Sequence, residues 1–158
     1  MGKVILVGKS AAGKDHLRKI LQSRGFKYAV SYTTRPKREK EIDGLDYFFI
    51  EKKDFNNKLL SGEWYEYVKF NNWYYGTTRK QFKNCNLFIM TPAGLSKVDP
   101  IDRKQCTVIY LDVSNEVRMQ RLLDRGDNND SLERRMSADD RDFETFTDFD
   151  IRITESNF

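Results

Sequence analysis

The sequence predicts an α/β fold of three layers, in which a parallel central sheet lies between helices and carries a small inserted mixed β/α subdomain and a helical lid. Two observations predict the sheet. Short apolar runs recur at residues 4–7, 87–90 and 106–113, the pattern of strands buried on both faces, and each leads into a segment of helical spacing. Such alternation of strand and helix implies right-handed crossovers between parallel neighbours. A third observation predicts the insertion: within residues 33–76 the strands alternate polar and aromatic side chains, as a half-exposed antiparallel flap does.

Taken in order, Lys3 to Gly8 is the first buried strand. Past the loop that ends at Gly13, residues 14–24 place Leu17, Ile20 and Leu21 on one helical face. A second strand is expected near Tyr28 to Ser31, followed by a polar, basic stretch that closes in the turn signal Asp43-Gly44. Residues 46–51 and 63–70 read as aromatic-rich strands around a helix at 52–61, and Asn71-Asn72 turns the chain into Tyr74-Tyr75-Gly76. The helix expected over 114–125 puts Met119, Leu122 and Leu123 on one face and Arg118, Arg121 and Arg125 on another. A polar segment at 126–130 precedes a helix starting near Ser131, and residues 149–154 close the chain as a strand.

A length of 158 residues fits one domain with a real core, and 39% hydrophobic with 13% aromatic residues excludes a disordered chain. No apolar run approaches the roughly 18–20 residues of a membrane span, and no charged-then-apolar leader precedes the first strand. A soluble, cytoplasmic protein is expected. Cys85 and Cys106 lack the spacing of a disulfide framework or a metal site, and both sit beside strand-like runs as buried thiols do. The 28 basic against 24 acidic side chains give a net charge of +4 and a pI near 9.0. That charge is local. Residues 1–123 carry 23 basic and 13 acidic side chains, a net of +10, whereas 124–158 carry 5 and 11, a net of −6. The densest basic cluster, Arg35, Lys37, Arg38 and Lys40, is interleaved with Glu39 and Glu41, which suits a pocket for a small, multiply charged anion better than a stripe that tracks nucleic acid. The acidic tail reads as having no such role.

Residues Gly8-Lys9-Ser10-Ala11-Ala12-Gly13-Lys14 match G-x-x-x-x-G-K between a buried strand and a helix, the setting of a phosphate-binding P-loop. There the glycines let successive N–H groups of Ser10, Ala11, Ala12 and Gly13 face a phosphate, the helix N-terminus adds partial positive charge, and the Lys14 ammonium reaches the outer phosphates. The plainer alternative is a glycine turn with a surface lysine. Asp15 stands where the motif carries the Ser or Thr that ligates Mg²⁺. Two readings of it stand side by side: a magnesium ligand, directly or through a water, and a favourable charge in the first helical turn.

The segment Ser31-Tyr32-Thr33-Thr34-Arg35-Pro36-Lys37-Arg38, followed by Asp43-Gly44-Leu45-Asp46-Tyr47-Phe48-Phe49, together with the P-loop resembles the guanylate kinase family. The likeness continues through Glu63–Glu66, Tyr74–Thr77, Arg121–Gly126 and Arg134-Arg135 to Phe149-Asp150. It covers nearly the whole chain. The resemblance implies a single P-loop kinase domain, with a core of about 1–32, 77–125 and 145–158, a monophosphate-binding subdomain of about 33–76 and a lid of about 126–144. It implies that Ser31, Arg35, Arg38, Tyr47 and Tyr75 bind the acceptor phosphate, that Glu66 and Thr77 read guanine, and that Arg121, Arg125 and Arg135 close over the ATP phosphates. Chemistry agrees: arginines three apart fork onto a dianion, and a carboxylate pairs with the N1–H and amino group of guanine. For the tyrosines the competing reading is flap core. Arg118 shares the lid stripe without matching a family position, so it reads as a solvated basic side chain.

Two departures stand out. The family strand that matches 87–91 ends in a D-x-D pair of carboxylates, where this chain has Ile89 and Thr91. Thr91 still hydrogen-bonds a base, so looser base choice is expected, and Asp15 is expected to supply the metal-side charge that position 89 lacks. The chain also reaches Phe158 soon after its last strand, so the family's final helix is expected to be missing, as in a compact version that a virus or phage encodes. The resemblance implies an ATP- and Mg²⁺-dependent kinase of GMP or dGMP. The alternatives are a deoxynucleoside monophosphate kinase of broader base choice, and an inactive module that uses the monophosphate pocket to bind partners.

Overall fold

The protein is described by a computed structural model over residues 2–126 and 129–157; within its last long helix the side chains of 129–133 and 135 lie outside the description. The core sheet contains β1 (Lys3–Gly8), β6 (Leu87–Ile89), β7 (Cys106–Leu111) and β8 (Ile151–Ile153) in the order β6-β1-β7-β8. All three pairings are parallel. Side chains on a strand alternate between faces, and β1 buries both: Ile5, Leu6 and Val7 are all fully enclosed. Ile5 and Val7 join Phe82, Phe88, Met90 and Val108 in one cluster, while Leu111, Val113 and Ala12 form another with Leu17 and Ile153 at its border.

The second sheet holds β2 (Tyr32–Thr33), β3 (Phe48–Phe49), β4 (Trp64–Phe70) and β5 (Trp73–Thr78) in the order β3-β2-β5-β4. Three sequence expectations change here. The strand expected at Tyr28 to Ser31 is a single parallel bridge from Tyr28 to Leu87, because the chain leaves the core sheet at once and pairs as β2 in the other. The strand expected at 46–51 shrinks to Phe48–Phe49, since Asp43 to Tyr47 are taken up in a bridged turn around Gly44. The insertion is mixed rather than antiparallel, for β3 lies parallel to β2. Asn71 and Asn72 turn β4 into β5 with φ of 50° and 68°, the left-handed pair of a tight hairpin.

Helices α1 (Lys14–Ser23), α2 (Lys52–Leu60), α6 (Asn115–Asp124) and α7 (Asn129–Phe143) fall close to their expected places. The short α3 (Arg79–Asn84) is unforeseen; Thr78 and Gln81 form a capping box that starts it directly after β5. Helices α4 (Pro92–Leu95) and α5 (Pro100–Lys104) both open on proline and are capped by Thr91 and Asp99. The C-terminal end of α7 is pinned by a ring cluster in which Phe143, Phe146 and Phe149 lie 5.2–5.5 Å from Tyr110. Cys106 is buried and Cys85 half-buried, and burial pushes both thiols up from their ordinary pKa.

Gly76 marks the tightest contact of the second sheet. A Cβ there would sit 2.8 Å from the Trp64 ring, which stacks on Phe55 at 5.1 Å and donates its indole N–H to the Phe55 carbonyl. The ring cannot retreat without breaking both contacts. Gly76→Ala is therefore expected to destabilise the protein by about 1–3 kcal/mol, read as a lower midpoint in thermal or urea unfolding.

Candidate active site

One cavity of about 880 Å³ lies between the two sheets' ends and is bordered by α6 and α7. Its first end is the loop from Gly8 to Asp15. β1 delivers Gly8, where a Cβ would meet the Leu111 carbonyl at 3.0 Å, and Gly13 opens α1 at φ 105°, a value that suits glycine. Ala11 is also left-handed at φ 61°. This left-handed winding is the kind that forms an anion-binding nest; here the Ala12 N–H closes onto the Lys9 carbonyl at 3.1 Å and the Ser10 N–H donates to Asp139 at 3.0 Å. Lys14 folds back to donate to the Gly8 carbonyl, and burial lowers its pKa against the opposing pull of Asp139 and Asp15. Arg121 reaches the loop from α6, donating to the Ala11 carbonyl at 2.8 Å and to the Ser156 carbonyl at 2.8 Å. Arg125 lines the same end. Asp15 is exposed on the first turn of α1 and pairs with Arg18 Nε at 3.3 Å.

The opposite end gathers Ser31, Arg35, Arg38, Tyr47 and Tyr75. Arg35 is clamped by both oxygens of Glu41 at 2.8 Å, and Glu41 also accepts the Arg38 backbone N–H at 2.9 Å. That fork raises the Arg35 pKa and lowers that of Glu41, each against the cost of burial. Arg35 also lies over the Tyr47 ring at 5.3 Å, and Tyr47 packs edge-on to Tyr75 at 5.9 Å. Burial raises the Tyr47 pKa to about 12, so its hydroxyl stays a donor.

Glu66 from β4 borders the cavity beside Val68, Ile89, Met90 and Thr91. It is 6% exposed, and desolvation raises its pKa to about 7 despite hydrogen bonds from Thr77. Thr77 itself, 2% exposed and opposite Glu66 in the β4–β5 register, does not border the cavity. Its hydroxyl supports Glu66. Thr91 uses its oxygen to accept the Gly94 N–H at 3.0 Å, which leaves its own proton to donate.

The Arg135 side chain lies outside the described residues. Arg118 overturns its sequence reading: it is fully buried, with Nη1 3.3 Å from the Ser10 carbonyl and 3.4 Å from Asp139, and Nη2 2.6 Å from Asn115. The i, i+3, i+7 stripe hid this, because α6 turns the start of that stripe toward the loop and α7. The acidic tail is also not idle. Asp139 accepts the Ser10 N–H at 3.0 Å, Asp140 pairs with Lys9 at 3.0 Å, and Asp142 borders the cavity. Sequence reasoning missed Glu41 and Asp139, although Glu41's place inside a basic cluster was a usable signal. Among the described residues no three His, Cys, Asp or Glu side chains gather to hold a metal ion.

A P-loop at the head of a parallel sheet, facing an arginine–tyrosine end across one cleft, defines a P-loop phosphotransferase. The guanylate kinase family model matches residues 1–158, and the chain belongs to that family. A guanylate kinase of Nostoc sp. is 30% identical over 98% of this chain and 82% of its own length, and one of Helicobacter pylori is 31% identical over 95% and 77%. With that of Symbiobacterium thermophilum the chain shares 32% identity but spans only 62% of the relative. The crystal structure of guanylate kinase from Anaplasma phagocytophilum superposes with a TM-score of 0.73 at 24% identity, over 99% of this chain and 78% of that one, a likeness of fold.

Stability carries the mark of Glu66. Its folded pKa lies above the value of about 4.3 for a free side chain, so the folded state binds the extra proton and loses stability as pH rises from about 4.3 to 7. Glu66→Gln lacks this loss. Its stability relative to wild type is expected to grow across that window, by an amount on the order of 3 kcal/mol, as measured by urea unfolding at pH 5 and pH 8.

Proposed function

We propose that the chain transfers the γ-phosphoryl group of ATP to GMP or dGMP, giving the corresponding diphosphate. The observation that carries this reading is the single cavity with a phosphate loop at one end, and an arginine–tyrosine group and a buried carboxylate at the other. Transfer of this kind needs positioning and charge neutralisation more than covalent chemistry. The loop N–H groups and Lys14 hold the donor phosphates. Arg35 exchanges its Glu41 partner for the acceptor phosphate, joined by Arg38 and the Ser31, Tyr47 and Tyr75 hydroxyls, and so offsets repulsion between two anions. Arg121 and Arg125, with Arg135 by family position, take up charge that spreads over the transferred group. Glu66 accepts from the guanine N1–H and amino group while Thr77 keeps it oriented.

Mg²⁺ bound with ATP would supply neutralisation of the donor-phosphate charge. Asp15 fits such a role: magnesium is commonly held by one or two carboxylates plus substrate phosphates, and Asp15 is an exposed carboxylate at the loop whose Oδ1 pairs with Arg18 at 3.3 Å. Looser base choice remains a second reading, supported by a base end that offers one carboxylate, Glu66, beside Ile89 and Thr91. A pure binding module is less well supported, because Lys14, Arg121 and Arg125 all border the donor end.

Diphosphate production from ATP with GMP, dGMP, AMP, dTMP and dCMP as acceptors tests this. Product is expected with GMP and dGMP. Product from dTMP or dCMP alone would overturn the role of Glu66, and tight GMP binding with no product from any acceptor would make the chain a binding module. For the metal, Asp15→Ser is expected to impair turnover more than Asp15→Asn; a fully active Ser variant removes Asp15 from that role.

A further inference from the structure

The Ser10 peptide is bracketed by two buried, oppositely charged side chains from different helices. Asp139 on α7 accepts its N–H at 3.0 Å, and Arg118 on α6 donates to its carbonyl at 3.3 Å. Arg118 and Asp139 also touch each other at 3.4 Å, with side chains 0% and 6% exposed. Burial of such a pair is costly, and among the described residues the Arg118 Nε has no hydrogen-bond partner. A pair of this kind in a place that needs only apolar packing asks for a reason.

The place supplies one. N–H groups of a phosphate loop are its phosphate ligands, and the Ser10 N–H already donates to an anion. Asp139 borders the same cavity as Lys14 and is the largest of the carboxylate influences on that ammonium. Its neighbour Asp140 ties down Lys9, so one helix holds two consecutive loop residues. A phosphate oxygen brought to the Ser10 N–H would meet the Asp139 carboxylate at contact distance, like charge against like charge.

Resting on the donor-site reading above, we propose that Asp139 sets the affinity for ATP. Its carboxylate occupies the Ser10 N–H in place of a donor phosphate oxygen, and ATP binds as that carboxylate gives way onto Arg118. The unpartnered Arg118 Nε is the donor that receives it, so Asp139 leaves Ser10 without being stranded. Arg118 is then a positioning residue: it touches no substrate, and holds the loop carbonyl while accepting the displaced carboxylate. A loop occupied by its own carboxylate most of the time binds ATP more weakly by the fraction that is free.

The test uses the full chain in three forms: wild type, Asp139→Asn, and the double variant Arg118→Leu with Asp139→Ala. The double variant removes both members of the pair and so strands neither of them, and it decides the matter if Asp139→Asn folds poorly. ATP·Mg²⁺ and GMP are each titrated calorimetrically, and the KM for each is measured. Both variants are expected to bind ATP about tenfold tighter, with KM for ATP lowered alike and both constants for GMP unchanged. Equal or weaker ATP binding by folded variants, beside normal binding by wild type, overturns the proposal and leaves the donor site standing. Tighter binding of GMP and ATP together would also overturn it, because a general loosening of the fold would then explain the gain. If none of the three binds ATP, the donor-site reading fails and takes the proposal with it.

Discussion

Gathering Lys14, Arg35, Arg38, Arg121 and Arg125 around one cleft creates a repulsion that the fold has to balance before any substrate arrives. The chain balances it with carboxylates of its own. Glu41 forks onto Arg35 in the two-point geometry that a phosphate would use, and Asp139 accepts from the loop N–H that a phosphate would engage. These contacts keep the cationic groups aimed into the cavity and lower the cost of holding them out of water. On the proposed reading each would be exchanged on binding, so the counter-charges would shape affinity as well as stability.

What makes this arrangement rigid is the parallel sheet beneath it. β1 runs between β6 and β7 and ends at Gly8, so the loop emerges at a fixed height above a strand whose last four residues are buried. β6 ends at Ile89 in register with Leu6 and β7 at Leu111 in register with Gly8, so Thr91 and the start of α6 follow from the same edge of the sheet as the loop. The aromatic cluster around Tyr110 then fixes α7 against that sheet, which determines where Asp139 and Asp142 can point. A helix held less firmly could not keep a carboxylate buried against a backbone N–H.

The core strands and the loop were legible in the sequence because their signals are local: apolar runs of strand length, a glycine spacing, and a lysine at the right offset. The short elements were not. β2 and β3 are two residues each and exist only by pairing across the second sheet, so no periodicity announces them. Arg118 was misread for the same physical reason. Helical spacing says which residues share a face but not which face meets another helix, and only α7's return across the loop buries it. The acidic tail was likewise summed as a net charge, whereas its effect depends on Asp139 and Asp140 lying beside Ser10 and Lys9.

The base end shows how two departures from the family pattern act together. With Ile89 and Thr91 in place of carboxylates, Glu66 is the acid that faces the cavity beside Val68 and Met90. The turn after β6 closes over it closely enough that a Cβ on Gly94 would lie 2.9 Å from Glu66 Oε2. A second carboxylate nearby would raise the Glu66 pKa further by repulsion, but would also bring polarity and water; apolar neighbours raise it by desolvation alone. Burial therefore lifts Glu66 from the ordinary carboxylate range to about 7. On the proposed reading, a base presenting two adjacent donors would draw Glu66 into the ionised form and one presenting an acceptor would meet the neutral acid, which would tie base choice to the charge state of one buried side chain.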